Sequence, residues 1–177
     1  MTILTDDEIS RVLAQARQYG KPEDRTKWVA LMTVLSNYGC RVSEALSLRW
    51  DQVDFGHGTI TFPTLKRKKA MTRTLPLLPA VASVLQAHAA SRNGDRRVFP
   101  MTAYGRCVAW RGFQTMLRRA GIPPIKLHAL RHSCASRLVQ QDLAMARDVL
   151  GHASVATTDK YIHAIRLREK FTAIGAI

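Results

Sequence analysis

The spacing of apolar residues predicts helices along most of the chain. Apolar side chains recur at helical intervals directly after the capping-box pair Thr5 and Glu8, at Ile9, Val12, Leu13 and Ala16. A second helix is expected over about residues 25–38, with an inner face formed by Trp28, Leu31, Met32 and Leu35. The same spacing predicts helices at about residues 43–48, 80–90, 104–120, 128–140 and 142–150, and a short one that carries Tyr161.

Between residues 53 and 77 the pattern changes to short runs that are typical of β-strands. Residues 53–55 and 59–65 flank Gly56-His57-Gly58, which predicts a tight turn between two strands. A third strand is expected at residues 72–77, after the basic stretch Lys66-Arg67-Lys68-Lys69. We therefore expect an α+β fold: a mostly helical single domain that contains a small three-stranded antiparallel sheet.

Composition favours a globular protein with a polyanionic partner. The chain has 177 residues, of which 46% are hydrophobic, enough for one domain with a core. Its 27 Lys and Arg outnumber 13 Asp and Glu, and the resulting net charge of +14 is typical of nucleic-acid-binding proteins. No apolar run is long enough to predict a membrane-spanning helix, and the acidic N-terminus is unlike a signal peptide. Three widely separated cysteines favour a reducing, cytoplasmic location.

Histidines concentrate in the last third of the chain, where His128 and His132 stand four residues apart on a predicted helix with Cys134 nearby. A zinc site is one interpretation of this spacing. The sequence lacks the glutamate of an HExxH motif and any CxxC pair, which argues against that site. Taken one at a time, these histidines are more typical of helix caps or core positions. We expect neither a metal nor another cofactor.

Four short motifs occur in a defined order and point to a different chemistry. Arg41-Val42-Ser43-Glu44 comes first, followed by the basic stretch, then by His128-Ala129-Leu130-Arg131 and Leu150-Gly151-His152, with Tyr161 nine residues after His152. In this order and at this spacing, the motifs resemble those of the tyrosine recombinases, the phage-integrase family. The resemblance extends over about residues 4–163, nearly the whole chain.

The resemblance implies a site-specific DNA recombinase that cleaves and rejoins double-stranded DNA through a 3′-phosphotyrosine intermediate. Tyr161 would be the nucleophile, and Arg41 and Arg131 would stabilise charge on the phosphate through bidentate hydrogen bonds. His128 would assist at the nucleophile, and His152 would donate a hydrogen bond to the phosphate. The family also implies self-assembly, as a tetramer, on DNA recombination sites.

In this family a lysine from the turn between two strands protonates the departing 5′ oxygen. The first turn residue after the strand at residues 60–65 is Lys66. The family's usual spacing, counted back from Arg73-Thr74-Leu75-Pro76, places the catalytic lysine at Lys68 instead. We favour Lys66, because the strand that delivers it determines its position, and Lys68 stays the alternative. By the same resemblance, Glu44 supports the active-site helix and does not react.

The chain begins close to its first predicted helix. Most family members carry an N-terminal core-binding domain, and only four residues precede Thr5. We therefore expect residues 1–177 to be a catalytic domain without a core-binding domain, either as a fragment of a longer protein or as a naturally compact member of the family. The alternatives are a type IB topoisomerase-like enzyme that nicks and reseals DNA, and a DNA-binding protein without catalysis. A covalent protein–DNA adduct would distinguish the enzymes from the binding protein.

Overall fold

Helices make up most of the chain that the computed structural model describes, which is residues 3–64, 71–91, 94–101 and 104–150. The helices are α1 (Asp6–Ala16), α2 (Arg25–Tyr38), α3 (Val42–Ser47), α4 (Pro79–Ala89), α5 (Gly105–Arg119), α6 (His128–Gln141) and α7 (Leu143–Leu150). The strands are β1 (Val53–Asp54), β2 (Thr59–Thr64) and β3 (Met71–Pro76). Within these ranges, no helix has the length and apolar character that crossing a bilayer requires.

The α+β expectation is confirmed, and the bounds predicted for the elements from residue 25 onward agree with the structure to within one residue. The helix expected to carry Tyr161 lies outside the described residues. The capping box of α1 is also present: the Thr5 hydroxyl accepts from the backbone N–H of Glu8 at 3.2 Å, and the Glu8 carboxylate accepts from the backbone N–H of Thr5 at 2.8 Å. Local sequence signals therefore determine where these elements begin and end.

The centre of the core is α2, which packs against α1, α4 and α6. The expected inner-face residues are all buried: Trp28, Leu31, Met32 and Leu35. Ala30 and Val34 are fully buried as well, so α2 is enclosed on nearly all sides. A helix in this position has no wide solvated face.

The three strands form one antiparallel sheet in the order β1–β2–β3. Ile60 pairs with Leu75, and Phe62 pairs with Arg73. The side chains of Ile60, Leu75 and Phe62 face the core and are buried. Because alternate residues of a strand share a face, Arg73 lies on the core side of β3 with Leu75. The sheet therefore brings one guanidinium to the protein interior.

Gly39 ends α2 at a point where two other helices come very close. Its φ is +54°, in the left-handed region that favours glycine. A Cβ at this position would lie 2.8 Å from Cδ2 of Leu150 and 3.0 Å from Cβ of Cys134. The approach of α6 and α7 to the end of α2 therefore depends on the absence of a side chain at residue 39.

We expect Gly39→Ala to lower the free energy of unfolding more than Gly121→Ala does. Both glycines have positive φ, +54° and +69°, so both substitutions carry a left-handed backbone cost of about 1–2 kcal/mol. A Cβ at residue 39 is also overpacked, which costs a further ~1–3 kcal/mol, whereas a Cβ at residue 121 meets no heavy atom within 4 Å. Urea unfolding of both variants measures the difference. Equal losses of stability would contradict the close approach at Gly39.

Candidate active site

A pocket of about 210 Å³ opens where the end of α2, the start of α3, α5 and the start of α6 meet. His128 and Arg131 both line it, because residues three apart on a helix share a face. Cys40 and Val42, which flank Arg41 in the chain, also line the pocket, and α5 contributes Arg106 to its lining. The structure therefore brings His128 and Arg131 together, and the residues on either side of Arg41 line the same pocket.

Arg131 is held by the carboxyl ends of two helices. Its side chain is buried, with the residue only 3% exposed. Nη1 donates to the carbonyl oxygen of Gly39 at 2.6 Å, and Nη2 donates to the carbonyl oxygen of Leu150 at 2.9 Å. Carbonyls at the C-terminus of a helix carry partial negative charge. The ends of α2 and α7 thus compensate a guanidinium that would otherwise be costly to bury.

These two hydrogen bonds connect motifs that are far apart in the sequence. Gly39 lies two residues before Arg41, and Leu150 is the first residue of Leu150-Gly151-His152. One guanidinium, itself the arginine of the His-x-x-Arg motif, therefore contacts the segments that carry two of the other three motifs.

Arg41 immediately precedes α3 and is held by Glu44. The Glu44 carboxylate accepts from Nη1 of Arg41 at 2.7 Å and from its backbone N–H at 3.0 Å. Glu44 is fully buried, while the Arg41 side chain keeps 27% of its surface exposed. This arrangement orients a charged group that still reaches solvent, and it agrees with the supporting role expected for Glu44.

Arg73 is a residue of this site that the sequence analysis missed. Its Nη2 donates to the second carboxylate oxygen of Glu44 at 2.9 Å, and its side chain is only 9% exposed. The guanidinium carbon lies 5.2 Å from the centre of the Phe62 ring, a cation–π distance. The available signal was the strand alternation, because Arg73 is two residues from the apolar Leu75.

The two arginines determine the charge of Glu44. Burial is the largest influence on its pKa and acts to raise it, because the interior disfavours a carboxylate. The hydrogen bond and charge of Arg73, followed by the hydrogen bonds from Arg41, outweigh burial and lower the pKa below its usual value. Glu44 is therefore ionised at neutral pH and binds both guanidiniums.

The histidine and cysteine side chains near Arg131 do not resemble a metal centre. The rings of His128 and His132 meet edge to face, with their centroids 4.7 Å apart. Burial, followed by the charge of Arg131, lowers the pKa of His132 and favours its neutral form. The Cys134 thiol donates to the carbonyl oxygen of Asn37. In the part of the chain that the structure describes, no three metal-ligating side chains cluster.

Burial disfavours the ionised form of two other potential nucleophiles near the site, Cys40 and Tyr38. Burial raises the pKa of Cys40 to about 12, although the charge of Arg73 opposes it. Burial also raises the pKa of Tyr38 to about 12, and its hydroxyl donates to the carbonyl oxygen of Pro76 at 2.8 Å. Neither group is readily ionised at neutral pH, so neither competes with Tyr161 for the expected role.

Four expected site residues lie outside the described residues: Lys66, Lys68, His152 and Tyr161. Both lysines fall between Thr64 and Met71, which pair with each other in β2 and β3. The other two follow Leu150, whose carbonyl oxygen Arg131 binds. The catalytic roles of these four residues, like those of Arg41, His128 and Arg131, stay predictions.

We expect Glu44→Gln to destabilise the protein at neutral pH, and the difference from the wild type to shrink in acid. Removing the charge leaves the buried Arg73 without its carboxylate, which costs about 3–5 kcal/mol for a broken buried pair. Because the folded-state pKa of Glu44 is lowered, this stabilisation is present above the unfolded-state pKa of about 4.3 and is lost as pH falls through the folded-state value.

Urea unfolding at neutral and acidic pH measures this effect. Asp7→Asn is the control, because the Asp7 side chain is 78% exposed and its pair with Arg11 lies at the surface. A difference between Glu44→Gln and the wild type that is independent of pH would contradict the assignment of charge to Glu44.

Comparison with known proteins identifies the family. The chain matches the phage integrase family over residues 2–167. It is 31% identical to the tyrosine recombinase XerD of Bifidobacterium longum (strain NCC 2705), over 91% of this chain and 58% of that protein. It is 32% identical to XerD of Neisseria meningitidis serogroup B (strain ATCC BAA-335 / MC58), over 92% of this chain and 58% of XerD. The chain thus spans little more than half the length of these relatives.

Solved structures agree with this result. The crystal structure of the XerA recombinase superposes with a TM-score of 0.76 and 26% identity, covering 98% of this chain and 63% of XerA. XerH, bound to its palindromic difH substrate in a post-cleavage complex, superposes with a TM-score of 0.78. At 24% identity, over 97% of this chain and 52% of XerH, that likeness concerns the fold alone. By its family match and its fold, the chain belongs to the phage integrase family, with the architecture of a tyrosine recombinase catalytic domain.

Proposed function

We propose that residues 1–177 act as the catalytic domain of a site-specific DNA recombinase that breaks and rejoins double-stranded DNA. The observation that carries this proposal is the environment of Arg131. Its guanidinium lines the same pocket as His128 and is fixed by backbone carbonyls beside the Arg41 and Leu150-Gly151-His152 motifs. An arginine fixed in this way requires little rearrangement when charge develops on a phosphate.

The first chemical step is a transesterification. The phenolic oxygen of Tyr161 attacks a phosphodiester phosphorus, and the bond from phosphorus to the 5′ oxygen breaks. The products are a 3′-phosphotyrosine and a free 5′-hydroxyl. His128 assists removal of the tyrosine proton, and Lys66, or Lys68 in its place, supplies a proton to the departing oxygen.

The second step reverses the first with a different strand. A 5′-hydroxyl from the partner duplex attacks the phosphotyrosine, which restores a phosphodiester and releases Tyr161. Because the phosphotyrosine bond replaces the phosphodiester bond, rejoining requires no nucleotide hydrolysis. Arg41 and Arg131 stabilise the charge on the non-bridging oxygens in both steps, and His152 donates a further hydrogen bond.

Double-stranded DNA is the proposed substrate, and several copies, as a tetramer, are proposed to assemble on paired recombination sites in the cytoplasm. The net charge of +14 supports a polyanionic partner. The DNA-bound state of XerH supports the same assignment by analogy of fold. All three cysteines are free, which agrees with a reducing compartment.

We expect Tyr161→Phe to abolish covalent attachment to DNA while folding and DNA binding persist, because the substitution removes only the attacking oxygen. The assay uses a library of nicked suicide duplexes with randomised sequence around the nick, and mass spectrometry maps the attached peptide. Tyr104→Phe is the control, since that tyrosine is 76% exposed and should be dispensable. A covalent adduct formed by Tyr161→Phe would contradict the assignment.

The same assay separates the rival functions. Adduct formation by the wild type excludes a binding protein without catalysis. Relaxation of a supercoiled plasmid that contains no paired sites would instead indicate a topoisomerase-like enzyme.

We expect Arg131→Lys to reduce the rate of adduct formation by about 100-fold or more, the effect of losing one preorganised donor to the transition state. A lysine keeps the charge but cannot reproduce a planar guanidinium that binds two carbonyls. Arg137→Lys is the matched control, because Arg137 lies on the same helix and also uses Nη1 and Nη2 on two partners, Asp6 and Ser36. Equal loss of cleavage in both variants would assign Arg131 a structural role only.

A further inference from the structure

The guanidinium of Arg73 is buried in a way that directs it toward one partner, Glu44. Its Nη2 donates to Oε2 of Glu44 at 2.9 Å, and the side chain is only 9% exposed. The guanidinium carbon lies over the Phe62 ring, 5.2 Å from the ring centre. Nε and Nη1 are buried as well, and no acceptor among the described residues binds them. Arg73 is therefore not placed to contact an external phosphate, and its route to the reacting atoms runs through Glu44.

The Glu44 carboxylate receives donors on both of its oxygens. Oε1 accepts from Nη1 of Arg41 at 2.7 Å. Oε2 accepts from the backbone N–H of Arg41 at 3.0 Å and from Nη2 of Arg73. The carboxylate cannot rotate without breaking one of these contacts, and without Arg73 its Oε2 keeps only the backbone N–H. The orientation that Glu44 presents to Arg41 thus depends on a residue of the sheet.

Arg41 is the arginine that this arrangement orients. Its side chain keeps 27% of its surface exposed, and its two neighbours in the chain line the pocket that contains His128 and Arg131. A partly exposed arginine has many rotamers, and restricting them costs conformational entropy. A fixed anion 2.7 Å from Nη1 selects one orientation and leaves the other N–H groups for a phosphate.

We propose that Arg73 is a positioning residue for DNA cleavage, which holds Arg41 in place through the shared carboxylate of Glu44. The inference rests on the proposed function and adds a residue that the four sequence motifs do not include. The guanidinium of Arg41 stabilises charge on the phosphate only when it is correctly oriented, so a small displacement lowers the rate of cleavage. Arg73 acts on this step without touching the reacting atoms.

Arg73 also keeps Glu44 charged. Burial is the largest influence on the pKa of Glu44 and raises it, and the hydrogen bond and charge of Arg73 are the strongest of the opposing influences. Without Arg73, burial moves this pKa upward. A protonated Glu44 no longer forms an ion pair with Arg41. As the pH falls, a variant that lacks Arg73 should therefore lose cleavage at a higher pH than the wild type does.

The other groups that face Glu44 do not titrate in the same direction. The thiol of Cys40, at the end of α2, is close enough for the charge of Glu44 to raise its pKa, and it stays neutral. Strand β2, which also packs on α3, carries no titratable side chain. Helix α5 brings Arg106 to the pocket, and an arginine is charged at every pH of the assay.

The test uses Arg73→Met, which removes the charge and keeps an unbranched side chain. Arg137→Met is the matched control, because Arg137 also binds one carboxylate, that of Asp6, and does not line the pocket. The duplex that the wild type attaches to fastest is supplied at saturating concentration, and the rate of adduct formation is measured over a pH series. Thermal unfolding checks whether each variant is folded at the assay temperature.

We expect Arg73→Met to slow adduct formation by about 10–100-fold, the effect of a misplaced catalytic group, and to bind DNA with wild-type affinity. Its rate should also decline at a higher pH than the wild-type rate does. Arg137→Met should keep the wild-type rate and pH profile, and Arg73→Lys, which keeps a charge beside Glu44, should restore the wild-type profile. The same changes in Arg137→Met as in Arg73→Met would overturn the inference.

A double-mutant cycle shows whether Arg73 acts through Glu44. Adding Arg73→Met to Glu44→Gln should slow cleavage no further, because the carboxylate is already lost. Losses that multiply would overturn the inference. If Arg73→Met alone does not fold, the double variant decides by itself, because it leaves neither buried charge without its partner. Cleavage by the double variant at the wild-type rate would then overturn the inference.

Failure of this inference differs from failure of the proposed function. If the wild type forms the adduct and Arg73→Met matches it in rate and pH profile, the inference is wrong and the function stands. If the wild type forms no adduct, the recombinase proposal is wrong, and a carbon NMR titration of the Glu44 carboxyl tests the coupling directly. A pKa that is raised in Arg73→Met would support the coupling of Arg73 to Glu44, and an unchanged pKa would overturn it.

Discussion

The structure depends on the compensation of one buried cation, the guanidinium of Arg131. A buried charge requires partners, and Arg131 obtains them from the carboxyl ends of α2 and α7. The same two helix ends come together only because Gly39 has no side chain to meet Leu150. Electrostatic compensation and close packing thus coincide at one place, and the chain continues from Leu150 toward His152 and Tyr161. The relation of three motifs to one another follows from this contact.

The buried carboxylate of Glu44 also holds separate elements together, through its ion pairs with two arginines. Glu44 of α3 binds Arg41, which immediately precedes the helix, and Arg73 of β3, so one carboxylate joins the first motif to the sheet. Buried and exposed arginines accordingly differ among the described residues. The buried ones have defined partners, because an unpaired buried charge is costly. Others, such as Arg96 and Arg97, are exposed at the surface, where pairing contributes little.

Features that depend on near neighbours can be predicted from the sequence. Helix and strand bounds follow from the period of apolar residues and from local caps such as Thr5 and Glu8, whose hydrogen bonds span only three residues. The shared face of His128 and Arg131 follows from helical geometry alone. The order of the motifs and the excess of positive charge are likewise properties of the sequence, and together they indicated the family before any packing was known.

Contacts between distant groups arise only when the elements pack together. The carbonyl acceptors of Arg131 lie in other helices, and Arg73 reaches Glu44 only because β3 packs its inner face toward α3. Arg49, Arg96 and Arg106 likewise line one cavity although they are far apart in the sequence. No local period encodes such contacts, because their free energy depends on burial and on the simultaneous packing of several elements. The strand alternation predicts that Arg73 shares a face with Leu75, but it does not predict that Glu44 is the partner of Arg73.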